Sequence, residues 1–345
     1  MAGKLQVIVG GQFGSEGKGA ITAYLAKTEE RNVTAVRVAG PNAGHTAYDS
    51  DGEKYALRSL PVASIARPDA YLVIAAGSEI DYSVLDSEIQ LTMKHKSASR
   101  LVVDEQATVI EKSHVEMEQS IGTGSTHKGI GAARAERLMR RATVAGETNA
   151  DYGYMSANTA EFVRDRLRAG DCVQIEGTQG YGLGLHSGYY PYTTSSNCRA
   201  VDFMAMAGIS PWSDVVEDLE IWIVYRTYPI RIAGNSGPMY SETSWEALNE
   251  ISNGHINPEF TTVTQKRRRV GQWDYDLARA ALIGNGGPSP QVHVALTFLD
   301  YVNPNVADLN RLDPDGMASL ETYEELLAHD IDLVGTGPNS IADLR

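Results

Sequence analysis

The chain has 345 residues, of which 42% are hydrophobic and 21% are charged, the composition of an ordinary globular protein. Its length allows two domains or one large α/β unit around a long sheet, and no run approaches the roughly 20 apolar residues that span a bilayer. The formal net charge of −14 argues against nucleic-acid binding, because contact with a phosphate backbone normally needs a basic face.

Short apolar or β-branched runs alternate with helical patterns along the chain. Runs typical of buried, largely parallel strands lie at residues 5–9, 33–38, 71–75, 101–103, 172–175, 221–225 and 292–298. Amphipathic stretches suited to cover the sheet faces lie at residues 20–27, 158–169 and 273–283. We therefore predict an α/β fold with a large, mostly parallel central sheet and helices on both faces, as one continuous domain over residues 1–345 with loop insertions.

The first residues lead directly into the apolar run 5–9, which is too short for the core of a secretory signal. Two cysteines, Cys172 and Cys198, are too few for a disulfide framework and lack the spacing of a zinc site. We therefore expect a soluble cytoplasmic protein with reduced thiols and no membrane partner.

A glycine-rich segment, residues 10–19, follows the first predicted strand and precedes a helical pattern. In such a loop the backbone N–H groups converge on phosphate oxygens and the helix N-terminus adds partial positive charge, while Lys18 can neutralise the terminal phosphates. The Walker pattern is not met, because five residues separate Gly11 from Gly17 and Gly19 replaces the hydroxyl that would hold magnesium. We predict a phosphate loop outside the standard P-loop NTPases; the alternative is a glycine-rich turn without a ligand.

A second glycine-rich segment, residues 40–46, follows the second predicted strand, where the carboxyl end of a parallel strand meets a ligand cleft. His45 in this segment is a candidate general acid, since a histidine can donate a proton or hydrogen bond to charge developing on a transferring phosphoryl group. The alternative is a structural histidine.

A basic cluster, Lys266 to Arg269, interrupts the acidic chain. Such a cluster suits a small anion such as a phosphate or a carboxylate. A solvated surface loop and a nucleic-acid patch are the alternatives.

Taken together, these segments resemble the adenylosuccinate synthetases, whose first loop reads G-x-Q-W-G-D-E-G-K-G and whose second reads N-A-G-H-T. Further segments resemble that family in the same order along the chain. They are residues 121–131 (family I-G-T-T-G-R-G-I-G, here with a small insertion), 176–180 (E-G-A-Q-G), 190–197 (Y-P-Y-V-T-S-S-N), 266–271 (R-R-R-R-T-G), 297–300 (T-K-L-D) and 336–338 (T-G-P). The resemblance thus covers nearly the whole chain.

The resemblance implies the adenylosuccinate synthetase fold, which is similar to that of P-loop NTPases, and a reaction in two steps. The 6-oxygen of a purine monophosphate attacks the γ-phosphate of a nucleoside triphosphate, and the amine of L-aspartate then displaces phosphate from the 6-phosphoryl intermediate. It also implies Mg²⁺ and a homodimer in which Arg140 reaches the 5′-phosphate across the interface.

By the same resemblance, Ser15, His45 and Gln179 lie at the reacting centre, with His45 donating to the phosphoryl group and Gln179 orienting His45 and the purine 6-position. The implied triphosphate site comprises Ser15, Glu16, Gly17, Lys18, Gly19, Gly44, His45, Thr46, Arg268, Asp300, Gly335, Thr336, Gly337 and Pro338. The implied purine monophosphate site comprises Ser15, Asn42, Ala43, Ser125, Thr126, Arg140, Gln179, Thr194 and Lys266. The implied aspartate site comprises Thr262, Val263, Thr264 and Arg268, and the implied magnesium ligands are Ser15 and the Gly44 carbonyl.

Ser15 stands where the family has an Asp that takes the purine N1 proton and ligates magnesium. An unperturbed hydroxyl is a poor base and a weak metal ligand, so either the protein is degenerate or its substrate differs at the edge that this residue contacts. Guanine carries a 2-amino group beside N1, which needs room and an acceptor, and serine offers both. The change is associated with the phage branch of the family, the 2-aminoadenylosuccinate synthetases, which act on dGMP for the diaminopurine pathway. We therefore predict dGMP as substrate, in the host cytoplasm if the protein is phage-encoded, with IMP as the alternative.

The sequence constrains the base of the triphosphate less than it constrains the purine monophosphate. In the family the Lys and Asp of T-K-L-D recognise guanine; here Asp300 remains, Phe298 replaces the lysine, and Gly335 stands where many relatives have a serine. The phage branch is associated with ATP or dATP, which we favour, while Asp300 alone argues for GTP. Lys266 stands where the family has a ribose-contacting Arg, which hints at a changed contact. A nucleotide-binding regulatory protein without ligase activity and a nucleic-acid-binding module are the alternatives from other classes.

Overall fold

The structure, a computed structural model, describes residues 2–121, 125–148, 153–252, 254–260 and 266–345. Its strands are β1 Gly3–Gly10, β2 Val33–Arg37, β3 His45–Tyr48, β4 Lys54–Leu57, β5 Tyr71–Ile74, β6 Glu79–Ile80, β7 Leu101–Asp104, β8 Thr108–Val109, β9 Met155–Ala157, β10 Cys172–Glu176, β11 Val216–Arg226, β12 Ile230–Arg231, β13 Glu242–Thr243, β14 Arg269–Gly271, β15 Val292–Thr297, β16 Leu333–Gly337 and β17 Ser340–Asp343. Its α-helices are α1 Lys18–Thr28, α2 Ala63–Ala66, α3 Tyr82–Leu91, α4 Lys112–Glu118, α5 Ile130–Leu138, α6 Thr159–Arg168, α7 Ala200–Met206, α8 Trp245–Ile251, α9 Tyr275–Gly284 and α10 Pro314–Leu327. Within these ranges, no helix combines the length and the apolar character that a membrane crossing requires.

The central sheet has ten strands in the order β17-β16-β15-β11-β1-β10-β2-β5-β7-β9. Its neighbouring strands run parallel, except for β17, which pairs antiparallel with β16 at one edge. The predicted strands correspond to β1, β2, β5, β7, β10, β11 and β15, and the predicted helices to α1, α6 and α9. The predicted α/β class with a mostly parallel central sheet is therefore confirmed.

Strand β1 shows why helices cover both faces of this sheet. Leu5, Val7 and Val9 are buried in one cluster with side chains of α6 and α7, whereas Ile8 packs on the other face against Ile21 of α1. Because side chains alternate between faces along a strand, an unbroken apolar run requires cover on both sides.

The carboxyl ends of β1, β2, β10, β11 and β15 meet at one edge of the sheet, since these strands are parallel neighbours. The loops that leave this edge include residues 10–17, 38–44, 177–180 and 298–300. These are the segments that carry the family resemblance, and the carboxyl edge is where open parallel sheets bind ligands.

The hairpin β3–β4 was not anticipated from the sequence. It pairs antiparallel outside the main sheet and begins at His45, opposite Leu57. Asp49 Oδ1 closes its turn by accepting hydrogen bonds from the backbone N–H groups of Asp51 and Glu53, both at 2.9 Å. The hairpin therefore fixes the direction in which His45 enters the carboxyl edge.

We expect Gly177→Ala to lower the free energy of unfolding by about 1–3 kcal/mol, the usual cost of overpacking. A Cβ at Gly177 would lie 2.6 Å from the carbonyl oxygen of Ile8 and 2.8 Å from the ring of Phe203. Urea unfolding followed by circular dichroism measures the change. Gly44→Ala is the control, because its Cβ would lie 3.8 Å from the nearest atom, on Arg58; equal midpoints for the two variants would contradict the tight packing of Gly177 against β1 and α7.

Candidate active site

The loop between β1 and α1 is organised around the buried carboxylate of Glu16. Its Oε1 accepts hydrogen bonds from the backbone N–H groups of Gln12 at 3.1 Å and Gly14 at 2.8 Å. Gly17 has φ 81° directly before α1 begins at Lys18, a left-handed conformation that glycine adopts at little cost. The predicted phosphate loop is thus held from within by Glu16.

Lys18 ties this loop to the loop after β10. Its Nζ lies 2.6 Å from Oε2 of Glu16 and donates to the carbonyl oxygen of Gln179, and its side chain is almost fully buried. An ammonium group has three N–H donors, so one donor remains for a phosphate oxygen. The first loop and the Gln179 segment therefore form one unit around a single lysine.

His45 contacts a buried ion pair rather than solvent. Its Nδ1 is hydrogen-bonded to Oε1 of Glu176, which also accepts from Arg37 Nη1 at 2.5 Å. The other carboxylate oxygen of Glu176 accepts from the backbone N–H of Val62 at 2.9 Å. With Nδ1–H donating to the carboxylate, the neutral imidazole keeps an acceptor lone pair on Nε2.

Burial and the positive charge of Arg37 lower the pKa of His45 to about 4, and Glu176 only partly offsets them. The pKa of Glu176 lies below its ordinary value, because Arg37 and His45 outweigh the effect of burial. At neutral pH the protein without ligands therefore holds an uncharged imidazole against a carboxylate. Negative charge from a bound triphosphate would raise the pKa of His45 and bring it closer to the form that can donate a proton.

The sequence pattern assigned the orientation of His45 to Gln179, and the described contacts of His45 are to Glu176 and Arg37. Gln179 itself has φ 61° and is held through its carbonyl oxygen by Lys18; its role toward the purine stays a prediction. Glu176 and Arg37 were missed, although each ends an otherwise uncharged strand. A charge at such a position has to be paired when it is buried, and this signal was present in the sequence.

Ser15 is exposed at the tip of the first loop, where two arginines reach it. Arg268 Nη1 donates to Ser15 Oγ, and Arg226 Nη1 donates to the Ser15 carbonyl oxygen at 3.0 Å. Arg226 is fully buried and forms an ion pair with Glu259. Ser15 and Arg268 were predicted from the sequence as site residues, whereas Arg226 and Glu259 were not.

The arginines of the basic cluster have different partners. Arg267 pairs with Glu246 at 2.6 Å and Arg269 with Glu242 at 2.5 Å, whereas Arg268 turns toward the first loop. Acidic partners therefore neutralise two of its charges, which disfavours a nucleic-acid patch. Lys266 is exposed, and the predicted aspartate-binding residues 262–264 lie outside the described residues.

The segments of the predicted monophosphate site meet around the start of α5. Arg134 of α5 donates to the carbonyl oxygen of Ser195 at 3.1 Å and pairs with Glu79, and Gly40 lies against Ile130. The remaining predicted contacts near these segments are partly buried (Asn42, Ala43, Ser125, Thr194) or exposed (Thr126, Arg140). The second glycine-rich loop, residues 125–131 and residues 190–197 thus border the same region.

The end of β15 contacts the first loop. Thr297 Oγ1 donates to the carbonyl oxygen of Glu16 at 2.6 Å, and a Cβ at Gly335 would lie 3.1 Å from Thr297 Cβ. Thr336 Oγ1 donates to the carbonyl oxygen of Leu309 at 2.6 Å. Thr297 therefore lies beside the phosphate loop with Gly335 packed against it, and Asp300 and residues 335–338 stay the predicted contacts of the triphosphate.

The oxygens that the chain offers to magnesium near this loop are neutral. Ser15 and Gly44 are both exposed, whereas the Glu16 carboxylate is turned inward to the loop and Lys18. Across the described ranges, no group of three His, Cys, Asp or Glu side chains is placed to hold a metal ion. Neutral oxygens fit a magnesium ion that takes most of its ligands from phosphates and water.

Comparison with known proteins agrees with this geometry. The family model described as adenylosuccinate synthetase matches residues 7–151 and 146–306. The chain is 35% identical over 340 residues to the adenylosuccinate synthetase of Methanococcus vannielii, covering 96% of both chains. It is also 35% identical to that of Pyrococcus sp. (strain ST700), covering 96% of this chain and 95% of the relative.

Two solved structures have the same fold. A cyanophage S-2L succinoaminodeoxyadenylate synthetase bound to dGMP and dATP superposes with a TM-score of 0.83 at 27% identity, covering 99% of this chain and 96% of that one. A fully ligated adenylosuccinate synthetase from Plasmodium falciparum superposes with a TM-score of 0.81 at 20% identity, covering 99% and 100% of the two chains. The second likeness extends to the fold alone.

We expect the imidazole of His45 to remain uncharged at pH 5.5 in the protein free of nucleotide and metal, because burial and Arg37 lower its pKa to about 4. An ordinary histidine would be mostly protonated at that pH. Two-dimensional NMR of the histidine side chains measures the titration, with His45→Asn identifying the signal. Half-protonation of His45 above pH 6 would contradict the buried ion-pair geometry.

Proposed function

The chain belongs to the adenylosuccinate synthetase family of carbon–nitrogen ligases, and we propose that within this family it joins L-aspartate to the 6-position of dGMP, giving N6-succino-2-amino-2′-deoxyadenylate. The observation that carries the proposal is Ser15 at the tip of the phosphate loop, where the family has an Asp. The likeness to the cyanophage enzyme bound to dGMP supports it. The product would serve the synthesis of diaminopurine deoxynucleotides.

Ser15 suits guanine for reasons of size and hydrogen bonding. Its Oγ accepts one hydrogen bond from Arg268, and a hydroxyl oxygen has a second lone pair that can accept an N–H of the 2-amino group. An Asp would be larger and anionic at the same place. Serine therefore accommodates the group by which guanine differs from hypoxanthine.

The reaction we propose has two balanced steps. In the first, O6 of dGMP attacks the γ-phosphorus, the bond to the β–γ bridging oxygen breaks, and the N1 proton leaves. In the second, the neutral amine of aspartate attacks C6, the C6–O6 bond breaks, and phosphate departs with the former O6 and takes up the proton that the amine loses. Lys18 and the backbone N–H groups of residues 15–19 hold the triphosphate, and His45 faces the transferring phosphoryl group, which it stabilises by donating from Nε2 once protonated.

The cations around Ser15 fit the remaining substrate. The planar guanidinium of Arg268 suits a carboxylate of aspartate, and the predicted Thr262 to Thr264 complete that site in our proposal. Magnesium, held near Ser15 and by the Gly44 carbonyl, would neutralise charge on the phosphate oxygens when bound. The proton from N1 leaves through Ser15 as a relay in our proposal, because a hydroxyl alone is a poor base.

We propose ATP or dATP as the phosphoryl donor, in line with the dATP bound to the cyanophage enzyme. Phe298 takes the place of the family lysine that contacts guanine, and Gly335 lacks the hydroxyl of many relatives. The carboxylate of Asp300 keeps GTP as an alternative.

We propose a homodimer in which Arg140 reaches the partner's 5′-phosphate site. Arg140 is exposed just beyond α5, and apolar side chains beside it are also exposed: Leu138 at 84%, Met139 at 55% and Met117 of α4 at 53%. Exposed apolar side chains on this pair of helices favour a protein interface there.

Ordinary adenylosuccinate synthesis from IMP is the second candidate. The archaeal synthetases are 35% identical to this chain, against 27% for the cyanophage enzyme. Sequence identity over the whole chain therefore favours IMP as the substrate, whereas Ser15, at the edge of the base that reacts, favours a guanine nucleotide.

We expect dGMP with aspartate and ATP to give a succinylated product in step with phosphate release, because the phosphate loop and Arg268 are both in place. Chromatography of parallel reactions with dGMP, GMP and IMP, each with ATP or GTP, measures the preference. Turnover of IMP as fast as dGMP would reject the substrate proposal and leave the family unchanged. Triphosphate binding without aspartate-dependent turnover would instead favour a regulatory protein.

We expect Ser15→Asp to shift the ratio of kcat/KM toward IMP, relative to dGMP, by at least about tenfold, or about 1.4 kcal/mol of differential transition-state binding. The carboxylate returns a base for both substrates but crowds only the 2-amino group of guanine. Steady-state kinetics on both substrates gives the ratio. Ser15→Ala is the control, since it removes the hydroxyl without adding charge. Equal gains for dGMP and IMP in Ser15→Asp would show that Ser15 does not select guanine.

A further inference from the structure

His255 lies beside the carboxylate predicted to contact the triphosphate base, although it belongs to no segment that carries the family resemblance. Its Nε2 is 3.3 Å from Oδ2 of Asp300. The Asp300 side chain is 12% exposed and that of His255 is 33% exposed. The pair is therefore largely sheltered but can be reached by a ligand.

The loop after α8 holds His255 in place. The backbone N–H of His255 donates to the Ser252 carbonyl at 3.2 Å, and the next residue, Ile256, donates to Ser252 Oγ at 3.0 Å. Ile256 is also buried in a small apolar cluster with Trp245 and Val270. The position of His255 next to Asp300 is thus fixed by the backbone and by packing on both sides.

Phe298 and Arg226 shape the surroundings of Asp300. Phe298 stands where the family has lysine, and its ring is covered by the guanidinium of Arg226, whose central carbon lies 4.0 Å from the ring centre. Arg226 is itself committed to Glu259 and to the Ser15 carbonyl. An apolar ring thus stands in place of the family lysine, two positions from the Asp300–His255 pair.

A free carboxylate matches guanine, because guanine presents two parallel donors, N1–H and the 2-amino group, to its two oxygens. Adenine presents one donor, the 6-amino group, beside the acceptor N1. When the Nε2–H of His255 donates to Oδ2, one lone pair of that oxygen is used and the ring stands beside it. With one lone pair of Oδ2 occupied by His255, the carboxylate suits a base with one donor better than a base with two.

Resting on the proposed function, in which Asp300 contacts the base of the triphosphate, we propose that His255 determines the donor: by holding Oδ2 of Asp300 it favours an adenine nucleotide over a guanine nucleotide. His255 acts through Asp300 and is a specificity-determining residue rather than a catalytic one. This resolves the conflict between Asp300, which alone matches guanine, and the loss of the lysine at Phe298.

A cavity beside the pair is consistent with access for a ligand. It has a volume of about 520 Å³ and is lined by Ser252, Gly254, His255, Pro304 and Asn305. Its volume lies within the range of small-molecule sites. Asp300 is not among its lining residues, so the cavity gives access to His255 rather than to the carboxylate itself.

The experiment measures binding of ATP, dATP and GTP to the full chain, by displacement of a fluorescent N-methylanthraniloyl triphosphate in the absence of dGMP and aspartate. We expect the unchanged protein to bind ATP at least about tenfold more tightly than GTP, or about 1.4 kcal/mol. We expect His255→Ala to reduce that ratio at least fivefold, chiefly through tighter GTP binding, because both oxygens of Asp300 become free. His255→Gln keeps an N–H donor and should retain most of the preference for ATP.

His293→Gln is the matched control, because His293 forms a similar pair with Asp332 at 3.2 Å near the start of β15, at the opposite end of that strand. It should leave the ATP-to-GTP ratio unchanged. Thermal unfolding of each variant checks that it folds, and His255→Gln serves if His255→Ala does not. For His255→Gln we expect a ratio of ATP to GTP affinity within about threefold of that of the unchanged protein, and loss of the preference for ATP would overturn the proposal.

An unchanged ratio in folded His255→Ala, or a preference of the unchanged protein for GTP, would overturn the role of His255. The acceptor proposal is tested separately, by turnover of dGMP against IMP. A shift of the ATP-to-GTP ratio in a protein that uses IMP would support His255 as the donor determinant and reject only the dGMP proposal.

Discussion

The carboxylate of Glu176 joins four separate parts of the chain at the carboxyl edge of the sheet. It ends β10, accepts from Arg37 at the end of β2, binds His45 at the start of β3, and accepts from the backbone before α2 through Val62. Removing one partner of a buried ion pair leaves an uncompensated charge, which costs several kcal/mol. The position of the proposed phosphoryl-transfer histidine therefore depends on the same contact that fixes the ends of two central strands.

The distribution of charge explains how an acidic chain can present a site for polyphosphates. The net charge is −14, yet three cations, Lys18, Arg37 and Arg226, are buried at the carboxyl edge. Each has a carboxylate partner within the protein: Glu16, Glu176 and Glu259 respectively. These internal pairs keep the cations at fixed positions without ligand, so that little reorganisation is needed when anionic substrates bind. The negative charges on the rest of the surface affect these buried cations only weakly, because salt screens exposed charges over about 8–10 Å.

The strands and the phosphate loop could be predicted because they depend on local patterns. Strands that are covered on both faces appear in the sequence as continuous apolar runs. A glycine directly before a helix, such as Gly17, indicates a left-handed backbone conformation at that position. The pairing of Arg37 with Glu176 spans 139 positions, and no local pattern identifies which buried charges meet. The hairpin β3–β4 was missed because each strand has only four residues, too few for a clear period. His255 was missed for a related reason: a lone histidine gains meaning only from a neighbour such as Asp300, 45 positions away.

Two departures from the family, Ser15 and Phe298, stand where base-contacting residues are expected. In the proposed site the phosphates are held by backbone N–H groups and by Lys18, which cannot distinguish one nucleotide base from another. The two ends are linked, because the guanidinium of Arg226 donates to the Ser15 carbonyl and also covers the ring of Phe298. Residues that share a partner do not contribute independently to binding. A change at the acceptor end that moves Arg226 would therefore also alter the donor end, which would couple the two proposed base preferences through one buried side chain.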